Sequence, residues 1–182
     1  MKHTIDDLKK IWMKAGYKLS PYSKEDIEKA INTFGTLPDV LIEYYEKIGE
    51  IENQYTEHGM HIHAPTDLSI DTDNEKEFLW FSSEMQSVDI FAISLKDIDQ
   101  KNPVVYCCGD STYPASDSTD DMWISGTHPE MLDEELDLRT MMNFFWTIAY
   151  FTVSDKIEKE IKWKFEDDDS WTCLANLSMD SL

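Results

Sequence analysis

The spacing of apolar residues changes once along the chain, near residue 50, and this change limits the folds open to it. Up to that point apolar residues recur every three or four positions in segments that end at glycines, which is typical of amphipathic helices. Beyond residue 60 they come in short runs separated by polar turns, which is typical of strands. Helices followed by a separate set of strands predict an α+β domain rather than an alternating α/β one.

Three helices are expected in the first 50 residues. In each case a residue that favours a helix start precedes the apolar stripe, and a glycine follows it. Their predicted limits are Thr4 to about Ala15, Ser23 to Gly35, and Pro38 to Gly49.

Five later runs are predicted to be strands of one twisted sheet. They are Met60–His63, Phe78–Phe81, Val88–Leu95, Val104–Cys108 and Met122–Ile124. Most of the connections are too short for a helical crossover, so neighbouring strands should be mainly antiparallel.

The segment from Leu138 to about Ser154 is apolar nearly all round, which predicts a helix buried against the sheet. Trp146 on this helix is expected in the core, as are Trp80 and Trp123. Residues 155–165 fit a helix face and a strand equally well, and that choice stays open. A chain of 182 residues is the size of one domain, so residues 1–182 are expected to form a single unit.

The net charge of −21 is concentrated in the middle of the chain. Residues 61–155 hold 19 acidic and 4 basic residues, and the whole sequence has one arginine, Arg139. So few guanidinium groups argue against nucleic acid as a ligand. A negative field attracts cationic partners and speeds their encounter, although the same charge can simply keep a protein in solution.

Several signals of other compartments are missing from the sequence. The chain passes from Met1 directly into an amphipathic segment, without an apolar signal peptide. Its most apolar run, Met141 to Val153, is shorter than the ~20 residues that a membrane span needs. Three cysteines give neither a disulfide framework nor a metal spacing. We therefore expect a cytoplasmic protein that makes no membrane contact, while the oligomeric state stays open.

Three phrases of the sequence form a set of motifs in a fixed order. They are the leucine-proline helix that ends in glycine at Leu37–Gly49, the strand Phe78–Phe81 followed by Glu84-Met85-Gln86, and the strand, acidic turn and strand of Ile93–Tyr106 with its Asn102-Pro103-Val104. In this order they resemble motifs of the SUKH superfamily, which includes fungal cell-wall assembly regulators and many bacterial immunity proteins. Trp123 and the helix after Leu138 fit the closing segment of the family. The resemblance is clearest over residues 23–153. Methionine stands at position 85 where asparagine is common.

This resemblance implies helices packed on a twisted sheet, no catalytic residues, no cofactor, and a role in binding a polymorphic toxin. Because the middle of the chain is acidic, the expected partner is a basic cognate toxin, such as a nuclease. Two acidic loops are predicted to bind it, one with Asp71, Asp73 and Glu75 and the other with Asp117, Asp120 and Asp121. An intracellular regulatory or scaffold module of the same fold and a metal-dependent hydrolase are the alternatives.

A cluster of His58, His61 and His63 is the best candidate for a metal site, because positions 61 and 63 share one face of a strand. Such a pair is also an ordinary strand face, and the sequence offers no further ligand set, so no metal is predicted. The run from Asp71 to Glu75 resembles the start of a calcium loop, but it lacks the turn glycine and the closing glutamate. Adjacent cysteines at 107 and 108 have no nearby histidine or lysine to activate a thiol. An enzyme is therefore not predicted.

Overall fold

The computed structural model describes residues 4–52, 60–73, 76–83, 90–108, 140–146, 148–149 and 152–153. Within these ranges helices and antiparallel strands form the predicted α+β class. The helices are α1 (Ile5–Lys14), α2 (Lys24–Phe34) and α3 (Asp39–Lys47), followed by helical residues 141–146, 148–149 and 152–153, here called the C-terminal helix. The strands are β1 (Leu19–Ser20), β2 (Glu50–Ile51), β3 (His61–Ile62), β4 (Ser69–Asp73), β5 (Lys76–Ser83), β6 (Ile90–Ser94) and β7 (Tyr106–Cys108). The predicted strand at 122–124 and the ambiguous residues 155–165 lie outside the described ranges.

Side-chain caps start the first two helices where the sequence predicts them. The Thr4 hydroxyl accepts a hydrogen bond from the Asp7 amide at 3.2 Å, and the Ser23 hydroxyl accepts one from the Asp26 amide at 3.1 Å. Each cap satisfies a backbone N–H that has no partner inside its helix. The predicted limits of α1, α2 and α3 are therefore confirmed to within a residue or two.

Gly49 ends α3 at a point where no other residue fits well. Its φ is +66°, and a Cβ atom placed there would lie 2.1 Å from the carbonyl oxygen of Ser20. This close approach lets the chain after α3 pair with the chain before α2, with Leu19 opposite Ile51 in a small β1–β2 sheet that the sequence does not predict. A residue with a side chain would be strained and would also push this pairing apart.

The main sheet has five antiparallel strands in the described part of the chain. Strand β5 pairs with β6, and β6 pairs with β7, while both β3 and β4 pair with the other side of β5. A 3-10 turn at Pro65–Asp67 packs near α2 and separates β3 from β4. The predicted antiparallel arrangement is confirmed, with the addition of β4, which the sequence analysis assigns to a turn.

Aromatic rings of the C-terminal helix join the helices to the sheet. Phe145 lies 4.4 Å from Tyr44 of α3 between ring centroids, and Phe144 lies 4.8 Å from Phe91 and 5.4 Å from Phe81 of the sheet. All five rings are at most 2% exposed. One hydrophobic core therefore includes α3, the C-terminal helix and the main sheet.

Trp146 departs from its predicted place in this core. It is only partly buried, as is Trp80 of β5, and Trp123 lies outside the described residues. The described positions that face the core from the C-terminal helix are Met141, Phe144, Phe145, Ile148, Ala149 and Val153. Because a helix buries one stripe against a sheet, the all-round apolar composition does not place every large side chain inside.

Residues 101–103 accept hydrogen bonds from backbone amides near the starts of two helices. The Lys101 carbonyl oxygen accepts a hydrogen bond from the Val40 amide at 3.1 Å, near the start of α3. The Pro103 carbonyl oxygen and the Asn102 Oδ1 accept bonds from the Met141 and Met142 amides at 2.9 and 2.8 Å. Asn102 thus caps the C-terminal helix from 40 residues away.

Candidate functional site

Strand β4 forms an acidic edge of the main sheet in the part of the chain that the structure describes. It pairs with β5 over five residue pairs, from Ser69 opposite Trp80 to Asp73 opposite Lys76. Three consecutive residues, Ser69, Ile70 and Asp71, are exposed to solvent, and 45% of the Ile70 surface is accessible. Successive side chains of a strand point to opposite faces, so these three residues are exposed on both faces of β4.

The chain leaves the core between Leu68 and the start of β4. Leu68 is still buried, at 8% exposure, and the strand begins with the next residue. Its partner positions on β5 include Phe78 and Leu79, both buried, which fix β5 firmly in the sheet. β4 therefore adds to an existing strand rather than contributing a core of its own.

The sequence prediction that Asp71 and Asp73 lie in a loop is wrong. Both belong to β4, opposite Phe78 and Lys76 of β5. Aspartate is depleted in strands, but backbone pairing along a long, well-packed neighbour outweighs that preference at an edge. Asp71 is exposed as predicted. Of the other predicted partner-binding residues, Glu75, Asp117, Asp120 and Asp121 lie outside the described ranges.

Charge is distributed unevenly between the two parts of the sequence. Residues 1–60 contain 11 acidic and 8 basic residues, whereas residues 61–155 contain 19 and 4. On the helices many of these charges pair with each other, as Lys47 does with Asp6 and Glu43 at 2.8 and 2.6 Å and Lys29 does with Glu25 at 2.9 Å. The segment that contains β4 therefore has a much larger excess of negative charge than the segment that forms α1, α2 and α3.

Two of the predicted histidines meet beside β4. The rings of His61 and His63 lie 5.0 Å apart between centroids, and His63 Nε2 lies 3.0 Å from the Ser83 hydroxyl. The Tyr45 hydroxyl donates to the His63 carbonyl oxygen at 2.9 Å, and the Ser82 hydroxyl donates to that of His61 at 2.9 Å. A register shift in β5 between Trp80 and Ser82 precedes the two serines that make these contacts.

Burial keeps both histidine rings uncharged near neutral pH. It lowers the pKa of His63 from its ordinary value of 6.5, and the neighbouring His61 lowers it further. Burial likewise lowers the pKa of His61, although Asp67 and Glu50 act in the opposite direction. Neutral imidazoles are suited to packing, to metal binding and to general-base chemistry, so the neighbouring groups decide among these.

The groups around His61 and His63 favour a packing role for both rings. A serine beside a histidine resembles a nucleophile and its base, but Ser83 is buried at 9% exposure, and His63 Nδ1 has no hydrogen-bond partner in the described part of the chain to orient the ring. No group of three or more metal-ligating side chains occurs among the described residues. His58, the third member of the predicted cluster, lies outside them. The backbone of Cys107 and Cys108 belongs to β7.

The exposed Ile70 is the feature of this site that sequence reasoning missed. Its signal is the alternation of Leu68, Ile70 and Thr72 with polar residues, which has the period of a strand. Within the described residues no helix is long and apolar enough to cross a membrane. Comparison of the chain with protein-family models, curated proteins and solved structures gave no match.

Proposed function

We propose that this chain is an immunity-type protein, which binds a cationic protein toxin in the cytoplasm and neutralises it by direct contact rather than by catalysis. The observation that carries the proposal is the edge strand β4, which pairs only with β5 among the described residues and where the exposed Ile70 and Asp71 stand next to each other. An apolar and an anionic side chain on an edge strand suit a protein partner with basic and apolar groups. The motifs that resemble the SUKH superfamily support the same role.

The large charge excess of residues 61–155 gives this edge its selectivity. In this segment the acidic residues outnumber the basic ones by 15, so the field around the sheet favours approach of a basic protein. Such a field raises the association rate and disfavours acidic competitors. A secreted nuclease that must bind nucleic acid carries the complementary basic surface.

The test is co-expression with toxin candidates encoded beside this gene. Each candidate is expressed from an inducible promoter with and without this protein, and growth and complex formation on size-exclusion chromatography are measured. We expect one basic candidate to be toxic alone, to be tolerated with this protein, and to co-elute with it. If no neighbouring product is both toxic and bound, the proposal is wrong, and a bound but non-toxic partner would favour the regulatory-module alternative.

Charge variants then locate the binding surface. Asp71→Asn with Asp73→Asn, and separately Asp117→Asn with Asp120→Asn and Asp121→Asn, should slow association and reduce its dependence on salt, while circular dichroism stays unchanged. The matched control is Glu28→Gln with Glu46→Gln, which removes two exposed acids from α2 and α3. If the control slows association as much as the edge variant does, the effect reflects total charge rather than this surface.

A further inference from the structure

We infer that the partner joins the main sheet of this protein by adding a strand to β4, and that the added segment alternates basic and apolar side chains. This inference rests on the proposed function for the identity of the partner as a basic protein. It adds the means of contact, which is main-chain hydrogen bonding along an edge strand. Four observations support it.

The first observation is that the described residues pair with only one side of β4. β4 has one paired side within the described residues, and its exposed residues are consecutive. In an antiparallel pair every second residue directs its N–H and C=O away from the partner strand. These outward groups are a template for another strand, and an extended peptide that pairs with them gains main-chain hydrogen bonds.

The second observation is that the template is regular. The β4–β5 ladder runs without interruption over five residue pairs, and the register shift of β5 is on its other side, against β6. β4 contains no proline, whereas the neighbouring edge at β3 is two residues long and is followed by Pro65. Of the segments along this side of β5, β4 alone is long enough to align a strand of five residues.

The third observation concerns the side chains that an added strand would meet. Directly opposed residues of two strands project to the same face, so one residue of the added strand faces Ile70 and the next faces Asp71. Ile70 favours an apolar neighbour, and the acidic excess of residues 61–155, to which Asp71 belongs, favours a basic one. A segment with alternating apolar and basic side chains satisfies both.

The fourth observation argues against a second copy of this chain as the occupant. An antiparallel pairing of two β4 strands centred on Asp71 would place this carboxylate opposite its own copy. Each copy also brings the net charge of −21. Acidic side chains on edge strands are a known protection against self-association, and the same charges attract a basic strand.

The test uses defined peptides and backbone hydrogen exchange. The first probe is a seven-residue peptide of alternating valine and lysine. The second has the same composition with its lysines in one block, and the third is the alternating peptide with an N-methyl group on every residue, which leaves it no main-chain donor. Exchange of the amides of residues 69–73 is followed by NMR at rising peptide concentration up to the millimolar range, in low and in physiological salt.

We expect the alternating peptide to slow the exchange of outward amides of β4 by about tenfold at saturation, because hydrogen-bonded amides exchange only when the pairing opens. The blocked and N-methylated peptides, which carry the same number of lysines, should leave β4 exchange unchanged. Asp71→Asn should weaken binding of the alternating peptide, and Glu28→Gln should not. Equal protection by all three peptides, or no protection of β4 by the alternating one, would overturn the inference.

The toxin complex separates this inference from the proposed function. If a cognate toxin is neutralised and bound while exchange at β4 stays unchanged, strand addition is wrong and the immunity role stands. If the alternating peptide protects β4 but no neighbouring gene product is toxic and bound, the immunity role is wrong and the edge remains a docking strand for another basic protein.

Discussion

His63 combines a half-buried ring, a serine at hydrogen-bond distance and a lowered pKa. Its ring lies 5.0 Å from that of His61 between centroids, and burial, together with a positive charge on His61, lowers the pKa of His63. The unfolded chain has no such restriction, and its histidines titrate near 6.5. This difference links the folding equilibrium to pH through two neighbouring residues.

We predict that the free energy of unfolding falls as the pH is lowered through 6.5 toward the depressed pKa values of His61 and His63. In that window the unfolded state binds protons that the folded state does not, so acid favours unfolding, and the stability is fully present above the unfolded pKa. Urea denaturation at several pH values measures the slope. His61→Gln with His63→Gln should flatten it between pH 5 and 7, and an unchanged slope would show that other groups cause it.

Gly49 and Gly35 can be compared directly, because both glycines have a positive φ, of 66° and 81° respectively. A Cβ at Gly35 would meet no atom within 4 Å, whereas one at Gly49 would meet the Ser20 backbone. We predict that Gly35→Ala costs about 1 kcal/mol of folding free energy from backbone strain alone. Gly49→Ala should cost at least ~2 kcal/mol more, because the chain must also move. Equal losses in denaturant titrations would contradict the close approach.

At the scale of elements, the sequence predicts what depends on local pattern and misses what depends on pairing. The caps Thr4 and Ser23 and the glycines after the helices are local signals, so α1, α2 and α3 could be placed. β4 could not, because its aspartates favour a turn and only the pairing with β5 makes it a strand. The acidic residues of the candidate site were therefore found, but their setting on an edge strand was not.

The cap on the C-terminal helix is another pairing of this kind. Asn102 Oδ1 accepts a hydrogen bond from the Met142 amide at 2.8 Å, although 40 residues separate them. We predict that Asn102→Ala lowers the free energy of unfolding by about 0.5–2 kcal/mol, the usual range for loss of a helix N-cap. Asn102→Asp keeps the acceptor oxygen and should retain most of the stability. If the alanine and aspartate variants are equally destabilised in urea titrations, the side chain does not act as a cap.

At the scale of the whole molecule, two adjacent phenylalanines hold the two structural layers together. Phe145 contacts Tyr44 on the helical side, and Phe144 contacts Phe81 and Phe91 on the sheet side. These partners come from α3, β5 and β6, so the core forms only when chain segments from the beginning, the middle and the end of the described fold assemble. This common core predicts a single cooperative unfolding transition for the described fold.

Substitutions on the C-terminal helix test this arrangement directly. Phe144 is 0% exposed, so Phe144→Ala should lower the free energy of unfolding by about 3–5 kcal/mol, the usual cost of removing a core aromatic. Trp146 is the larger residue but is only partly buried, so Trp146→Ala should cost less than Phe144→Ala despite removing more atoms. Urea titrations followed by both far-ultraviolet circular dichroism and tryptophan fluorescence measure the two losses. Coincident transitions are expected for the wild type, because α3 and the sheet share these rings. If Trp146→Ala proves the more costly substitution, the helix presents a different face to the sheet, and the contacts of Phe144 do not define the core.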